Sequence, residues 1–571
     1  MHPGRLLVGL VFLAQVAPPA LRAAPPDEPA AAPEHPLLGV LADELDYALA
    51  NLVTEEGVRP YYLAYAVTQS HTASLSATLG GLTYNNESRA RLLDVDVRVG
   101  DYSLDSTHKI RGGYGGGGFL GTSPLSLEDD ADAIRHTLWW ATDRQFKDAV
   151  KRHARVLTNV KVKVEEDDKS DDFSREEPAV YAETPQELAV DRDAWAERLR
   201  KLSAIARRYP LVYESQVSLA AEAETKFTAT SEGTRLQTAG KRFRLYVSAS
   251  TKADDGMDLS KSHIFDAATQ GGLPDDEHIA RTFEQVIEQV LAIRQAPLVE
   301  PYTGPAILRN RASGVFFHEI FGHRIEGHRQ KDVEEGQTFT KKVGQPVLPD
   351  FITVRDDPTL ARLGDVDLRG HYRYDDEGVA AEDVTLVENG ILKTFLLSRS
   401  PVESFPRSNG HGRRQPGYRA VARQGNLMVQ SSTKVGFDRL RELLVEECRK
   451  QDKPYGLLFE DITGGFTGTR RRGAQTFKVL PVVVYRVYAD GRPDELVRGV
   501  DIVGTPLSCF EKILATADDP AVFNGNCGAE SGSVPVSAIS PSILVESIEI
   551  EKRQRSQSRL PILPPPVAEV Q

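Results

Sequence analysis

The segment His318-Glu319-Ile320-Phe321-Gly322-His323 constrains this chain more than any other. Two imidazoles flank a carboxylate on what reads as one helix, Ser313 to about Gln330. The familiar zinc-protease pattern sets its histidines at i and i+4, on one helix face, with the glutamate as general base. Here the spacing is i and i+5, which turns the second ring about 140° from the first on a regular helix. Both rings reach one ion only if the turn is widened, as in a π-type bulge, or if the helix ends between them. Gly322 is expected to ease such a distortion. The plainer alternative is a helix with two partly exposed polar rings.

The flanking residues resemble a known family. Gly304-Pro-Ala-Ile-Leu308 and the run from Ser313 to Gly327 are similar to the core of the TldD/PmbA metallopeptidases. Further blocks follow in order: Tyr374-Asp-Asp-Glu-Gly378, Val387-Glu-Asn-Gly-Ile-Leu-Lys393, Asn409-Gly-His-Gly-Arg-Arg414, Leu496-Val-Arg-Gly-Val500, Asn526-Cys-Gly528 and Val534-Pro-Val536. The likeness is dense from about 300 to 548 and diffuse before 300. The family has an active member with HExxxH and a partner lacking it, and this chain resembles the active, TldD-like kind. The resemblance implies zinc as cofactor and places the third ligand, beside His318 and His323, on Cys527. It implies broad cleavage of short or unfolded peptides inside an enclosed cavity between subunits, as a homodimer or a heterodimer with a related chain. His411, Arg413 and Arg414 fall in a shared motif and are, on resemblance alone, candidates for substrate contact. His328, five residues past His323, is read as a residue outside the ligand set.

The chemistry of the residues agrees. A catalytic zinc keeps three protein ligands and a fourth position for water. A thiolate is a good zinc ligand, and a His2Cys set leaves the metal net positive charge. Glu319, next to His318, projects beside the water rather than binding the metal, as general base and proton carrier to the leaving amine. Two other readings stand: a non-catalytic peptide-binding or envelope scaffold of the same fold, and a hydrolase of non-peptide amides. An intact Glu319 argues against the scaffold, which gains nothing from a general base.

Length predicts two domains, residues 37–296 and 297–553, in an α+β chain. The first is a mixed α/β domain; the second is mainly antiparallel sheet and carries the metal-site helix. The formal net charge of −13 argues against a nucleic-acid partner. Residues 1–24 read as a secretory signal, with a basic start, an apolar run Leu6 to Ala17 too short to span a membrane, and small residues for cleavage. Export to a periplasm or the exterior is therefore expected, and Ala- and Pro-rich 25–36 reads as a linker. The three cysteines leave at least one free or ligating. Cys448 lies on the apolar face of a helix, Cys509 near a helix start, and Cys527 in what reads as a tight glycine-flanked turn. A Cys448–Cys509 disulfide is left open.

Along the chain, leucines at helical spacing predict a helix over 37–53. Alternation in Leu93-Asp-Val-Asp-Val-Arg-Val99 and over Val212 to Thr251 predicts strands with one wet face. Arg111 to Phe119 is a glycine-rich loop without the Lys-Ser/Thr of a phosphate loop. Trp139 and Trp140 are expected in the core of a helix over 130–155. Glu165 to Glu177, eight acids against two bases, is expected to be an exposed loop. Glu277 to Ala292 reads as a helix, and Asn389-Gly390 and Asp490-Gly491 as hairpin turns. Arg470-Arg471-Arg472 is a solvated loop or a contact for peptide carboxylates, and the tail after Arg553 is expected to be disordered.

Overall fold

The computed structural model describes residues 32–110, 119–162, 168–332, 335–470, 477–503, 510, 512–553, 560–561 and 563. The expected signal, the glycine run 111–118, the acids 165–167, Arg471, Arg472, Cys509 and most of the tail lie outside these residues. The architecture is α+β.

Residues before 300 build a seven-stranded sheet. Its spatial order is Ser123–Pro124, Gly81–Val99, Pro60–Thr78, Glu214–Thr230, Arg235–Lys252 and Val180–Ala182, and Asp258–Ala267 also pairs with Arg235–Lys252. Side chains alternate across the pleat, so Leu63, Tyr65, Val67, Leu93, Val95 and Val97 share one face. Helices α1 (Pro36–Asn51) and α2 (Ala131–Val162) cover one end of that face. Helices α3 (Arg192–Ser203) and α4 (Asp276–Gln295) cover the other, over Ala73, Leu75, Val217 and Leu245. Pro36 opens α1, one residue inside the expected linker, because a proline at the first helical position costs no hydrogen bond.

The other face of the sheet is polar, and part of it is covered rather than wet. Asp94 and Arg98 are buried, because residues from the second half of the chain pack onto them. Arg414 Nη1 reaches Asp94 at 2.8 Å, and Lys226 Nζ reaches Asp376 at 2.8 Å. Two other expectations fail. Trp139 and Trp140 are 51% and 57% exposed, because α2 turns Ile134, Leu138, Ala141 and Phe146 inward instead. The acidic stretch buries Asp172, Phe173 and Ser174, with Phe173 stacked under the guanidiniums of Arg98 and Arg399.

After 300 two large sheets form, beside two two-stranded ones, among the described residues. In one, Tyr302–Leu308, Tyr455–Thr467, Phe477–Tyr488, Val500–Val503 and Ile543–Lys552 pair in sequence, and the last pairs back to the first, closing a ring. The other has the order Ile391–Leu392, Val384–Glu388, Ile352–Asp356, Asn426–Ser431, Gly532–Ser540, Ala521–Ala529. Most pairs are antiparallel; Asn426–Ser431 with Gly532–Ser540 is parallel. Asn389 and Gly390 both take positive φ, +47° and +79°, as a two-residue hairpin turn of this hand requires. The strand after that turn is short, Ile391–Leu392.

Helix α5 (Asn310–Ile320) lies between these two sheets. Phe316, Phe317, Ile320 and Phe321 are fully buried, each contributing roughly 1.5–3 kcal/mol from apolar burial. Close approach of helix to sheet needs Gly314: a Cβ there would meet the Ala538 carbonyl oxygen at 3.0 Å. Cys448 sits in the core on α7 (Phe437–Lys450), after the single turn α6 (His328–Lys331).

Candidate metal centre

The expected helix from Ser313 to Gln330 does not exist as one piece. Helix α5 ends at Ile320, Phe321 caps it at φ −96° and ψ −53°, and Gly322–Arg324 form a 3-10 turn. The helix end, not a π-bulge, therefore reconciles the i,i+5 offset. Arg324 stabilises that end, its Nη1 donating to the free carbonyls of Glu319 at 3.2 Å and Ile320 at 2.9 Å. Gly322 is needed for a different reason from backbone freedom. Its φ is not positive, but a Cβ there would fall 2.0 Å from Gln424 Oε1. Gln424 is itself held by its Nε2, which donates to the His318 carbonyl at 3.3 Å.

This break brings the two rings together, centroids 5.1 Å apart at 73°. Cys527 completes the group. Ligand atoms of His318, His323 and Cys527 all lie within 4.8 Å of one another, and Cys527 Sγ is 3.3 Å from His323 Nε2. Cys527 is not in a tight turn. It lies in the strand Ala521–Ala529, paired with Val534, where the pleat aims its side chain at α5. The flanking glycines are part of that extended strand.

Two imidazoles and a thiol suit a zinc ion. Bonds of about 2.0–2.3 Å in tetrahedral geometry set donors roughly 3.5 Å apart, the scale seen here. Among the described residues, the buried His318 Nδ1 has no hydrogen-bond partner. Burial opposes the Cys527 thiolate, but His323 and His318 outweigh it and hold the thiol well below its usual range. Burial opposes charge on His323 too, and Cys527 and Glu326 outweigh it, raising that ring well above its ordinary value. Glu319 stands beside the group, and burial lifts its carboxyl above the usual range.

Sequence reasoning missed Glu326. It is fully buried, 3.2 Å from His323 Nδ1, and accepts Arg329 Nε at 2.8 Å. Those partners hold it down to about 2 despite burial. Its place three residues past His323, inside the block already singled out, was the available signal. His328 stays outside the group and pairs with Glu530.

The group opens onto a cavity of about 1830 Å³ between the polar face of the first sheet and the second half of the chain. His318, Glu319, His323 and Cys527 line it, and so does Arg470. One wall is the Ala521–Ala529 strand, the edge of its sheet.

His411, Arg413 and Arg414 do not line this cavity. His411 is fully buried, with Nδ1 2.9 Å from the Asn409 carbonyl and Nε2 3.4 Å from Asp356. Arg413 Nη1 donates to the Gln424 carbonyl at 2.6 Å, and Arg414 is spent on Asp94. Buried polar groups need partners, and Arg413 and Arg414 find theirs within the protein, so in this chain none of the three residues expected at the substrate faces the cavity. Asp375 caps a turn, accepting from the amides of Glu377 and Val379 at 2.9 Å.

Residues 301–552 match the family described as PmbA/TldA metallopeptidase C-terminal domain. A metalloprotease of Methanocaldococcus jannaschii is 30% identical over 231 residues, 40% of this chain and 47% of that protein. A zinc metalloprotease TldD homolog of Saccharolobus solfataricus is 26% identical over 277 residues, 46% of this chain and 57% of that protein. The matches span about half the length of these curated relatives. Crystalline TldE from Thermococcus kodakarensis superposes with a TM-score of 0.58 at 16% identity, covering 86% of this chain and 97% of that one. At that identity the likeness establishes the shared fold.

Proposed function

We propose that the chain, whose residues 301–552 match the PmbA/TldA metallopeptidase C-terminal domain, is a zinc-dependent peptidase cutting short or unfolded peptides with broad specificity. One observation carries the reading: His318, His323 and Cys527 converge beside Glu319 on the wall of a large cavity. The two histidines and the cysteine would hold the ion. Zinc, when bound, supplies a Lewis acid that acidifies water and polarises a carbonyl.

The chain's own residues do the rest. Glu319, whose carboxyl pKa is raised by burial, takes a proton from the attacking water as its oxygen adds to the amide carbon. When the C–N bond breaks, Glu319 returns that proton to the departing amine. His323 keeps its orientation through the Glu326 carboxylate. The open edge of the Ala521–Ala529 strand offers main-chain donors and acceptors to an extended peptide, which reads backbone and little sequence. A second chain, a copy or a relative, is proposed to enclose the cavity, and residues 1–24 are proposed to direct export. Among the described residues no helix is long and apolar enough to cross a membrane.

Metal analysis of the purified protein coupled to a peptide-library digest tests this reading. One zinc per chain with cleavage at many sequences is expected. Zinc without cleavage of any peptide would turn the reading toward the scaffold or the non-peptide amidohydrolase.

A further inference from the structure

The block Asn409–Arg414 backs a neighbouring segment. The His411 carbonyl accepts the Arg423 amide at 2.9 Å, and Arg413 holds the Gln424 carbonyl. Arg423, so held, is fully buried. Its Nη2 donates to the Cys527 carbonyl at 2.6 Å. Its Nη1 donates to Ser531 Oγ at 2.8 Å and to the Gly532 carbonyl at 3.1 Å. Its Nε lies 3.7 Å from Glu326 Oε1, the carboxylate that faces His323 Nδ1. One guanidinium therefore touches the backbone of the strand ligand and, through one carboxylate, the ring of the turn ligand, although Cys527 and His323 lie 204 residues apart.

We propose that Arg423 and Glu326 form a clamp that positions Cys527 and His323 for the metal. The inference rests on the zinc reading above. Both are positioning residues: neither belongs to the ligand group. Arginine suits the task because its planar fork reaches two strand carbonyls and a hydroxyl while facing a carboxylate, which a lysine ammonium does not do. A fully buried arginine and carboxylate also persist only when each has partners, and the ligand-bearing segments supply them.

The test is the zinc dissociation constant, by chelator competition, of wild type, Glu326→Gln, Arg423→Lys and the double variant, each with the thermal stability of its metal-free form. Each single change is expected to weaken zinc binding about 10–100-fold. The double should bind no more weakly than the worse single, since both changes break one unit. In cobalt-loaded protein the variants should shift the visible d–d bands while keeping the thiolate charge-transfer band, a change that lost stability alone does not produce. Wild-type affinity in a folded Glu326→Gln, or losses that multiply in the double, would overturn the clamp. If Arg423→Lys does not fold, Glu326→Gln decides by its affinity and spectrum. A wild type that binds no zinc overturns the metal reading itself, and that arm separates the two failures.

Discussion

Two of the three cysteines, Cys448 and Cys527, are described, both buried and free, yet their surroundings set them apart. Cys527 faces two imidazoles that hold its thiol down, whereas burial among apolar side chains pushes the Cys448 thiol up to about 11. Zinc content should fall to near zero in Cys527→Ala and stay at the wild-type level in Cys448→Ala, measured by elemental analysis. Full zinc in Cys527→Ala would remove the third ligand from the account. The pairing of His318 and His323 beside Glu319 was legible in spacing and residue type, whereas Cys527 entered through the family resemblance alone; the structure brings the two histidines and the cysteine together. That His411, Arg413 and Arg414 lie off the cavity was not legible, because a shared polar motif looks alike whether its side chains meet substrate or one another. Arg414→Met should cost about 3–5 kcal/mol in a denaturant titration, since it removes the counter-charge of the buried Asp94 carboxylate, leaving it the Gly417 amide. A loss well under 1 kcal/mol would show that the pair contributes little.

The decisive element is the end of α5. An i,i+5 offset is awkward on a regular helix, and that awkwardness made a break between the histidines legible. Its form was not legible, because the 3-10 turn depends on Arg324 reaching back to two carbonyls and on Gln424 arriving from a segment about 100 residues away. Gly322→Ala should destabilise the metal-free protein by about 1–3 kcal/mol through overpacking against Gln424. Adding Gln424→Ala should remove most of that penalty, so the pair is strongly non-additive in midpoint denaturant concentration. Simple addition of the two losses would contradict the packing argument. The strand carrying Cys527 escaped sequence reading for a related reason. Its glycines resemble turn glycines, and only pairing with Val534 across the sheet makes the stretch extended.

At the scale of the molecule, alternation in Leu93 to Val99 announced a strand with one polar face, but alternation cannot say what that face meets. Here it meets the other half of the chain through buried ion pairs, and the cavity lies between them. These pairs give stability a pH dependence. Burial opposes ionisation of Asp376, but Lys226 and Arg414 outweigh it and hold the carboxyl below its usual value. A lowered folded pKa adds stability above the unfolded carboxylate pKa, and that share is lost as pH falls through the folded value. Asp376→Asn should therefore be less stable than wild type at pH 7, with the gap closing as pH falls below about 4. A gap that widens in acid would reverse the assigned sign. The central claim is that this fold presents Glu319 to water beside a three-ligand metal centre. Turnover of an unfolded peptide by wild type and Glu319→Gln, with zinc content measured in both, tests it most directly. The account predicts equal zinc and a loss of about 10²–10⁴-fold in rate, because the amide keeps the shape but cannot take the proton. Equal rates at equal zinc would contradict it.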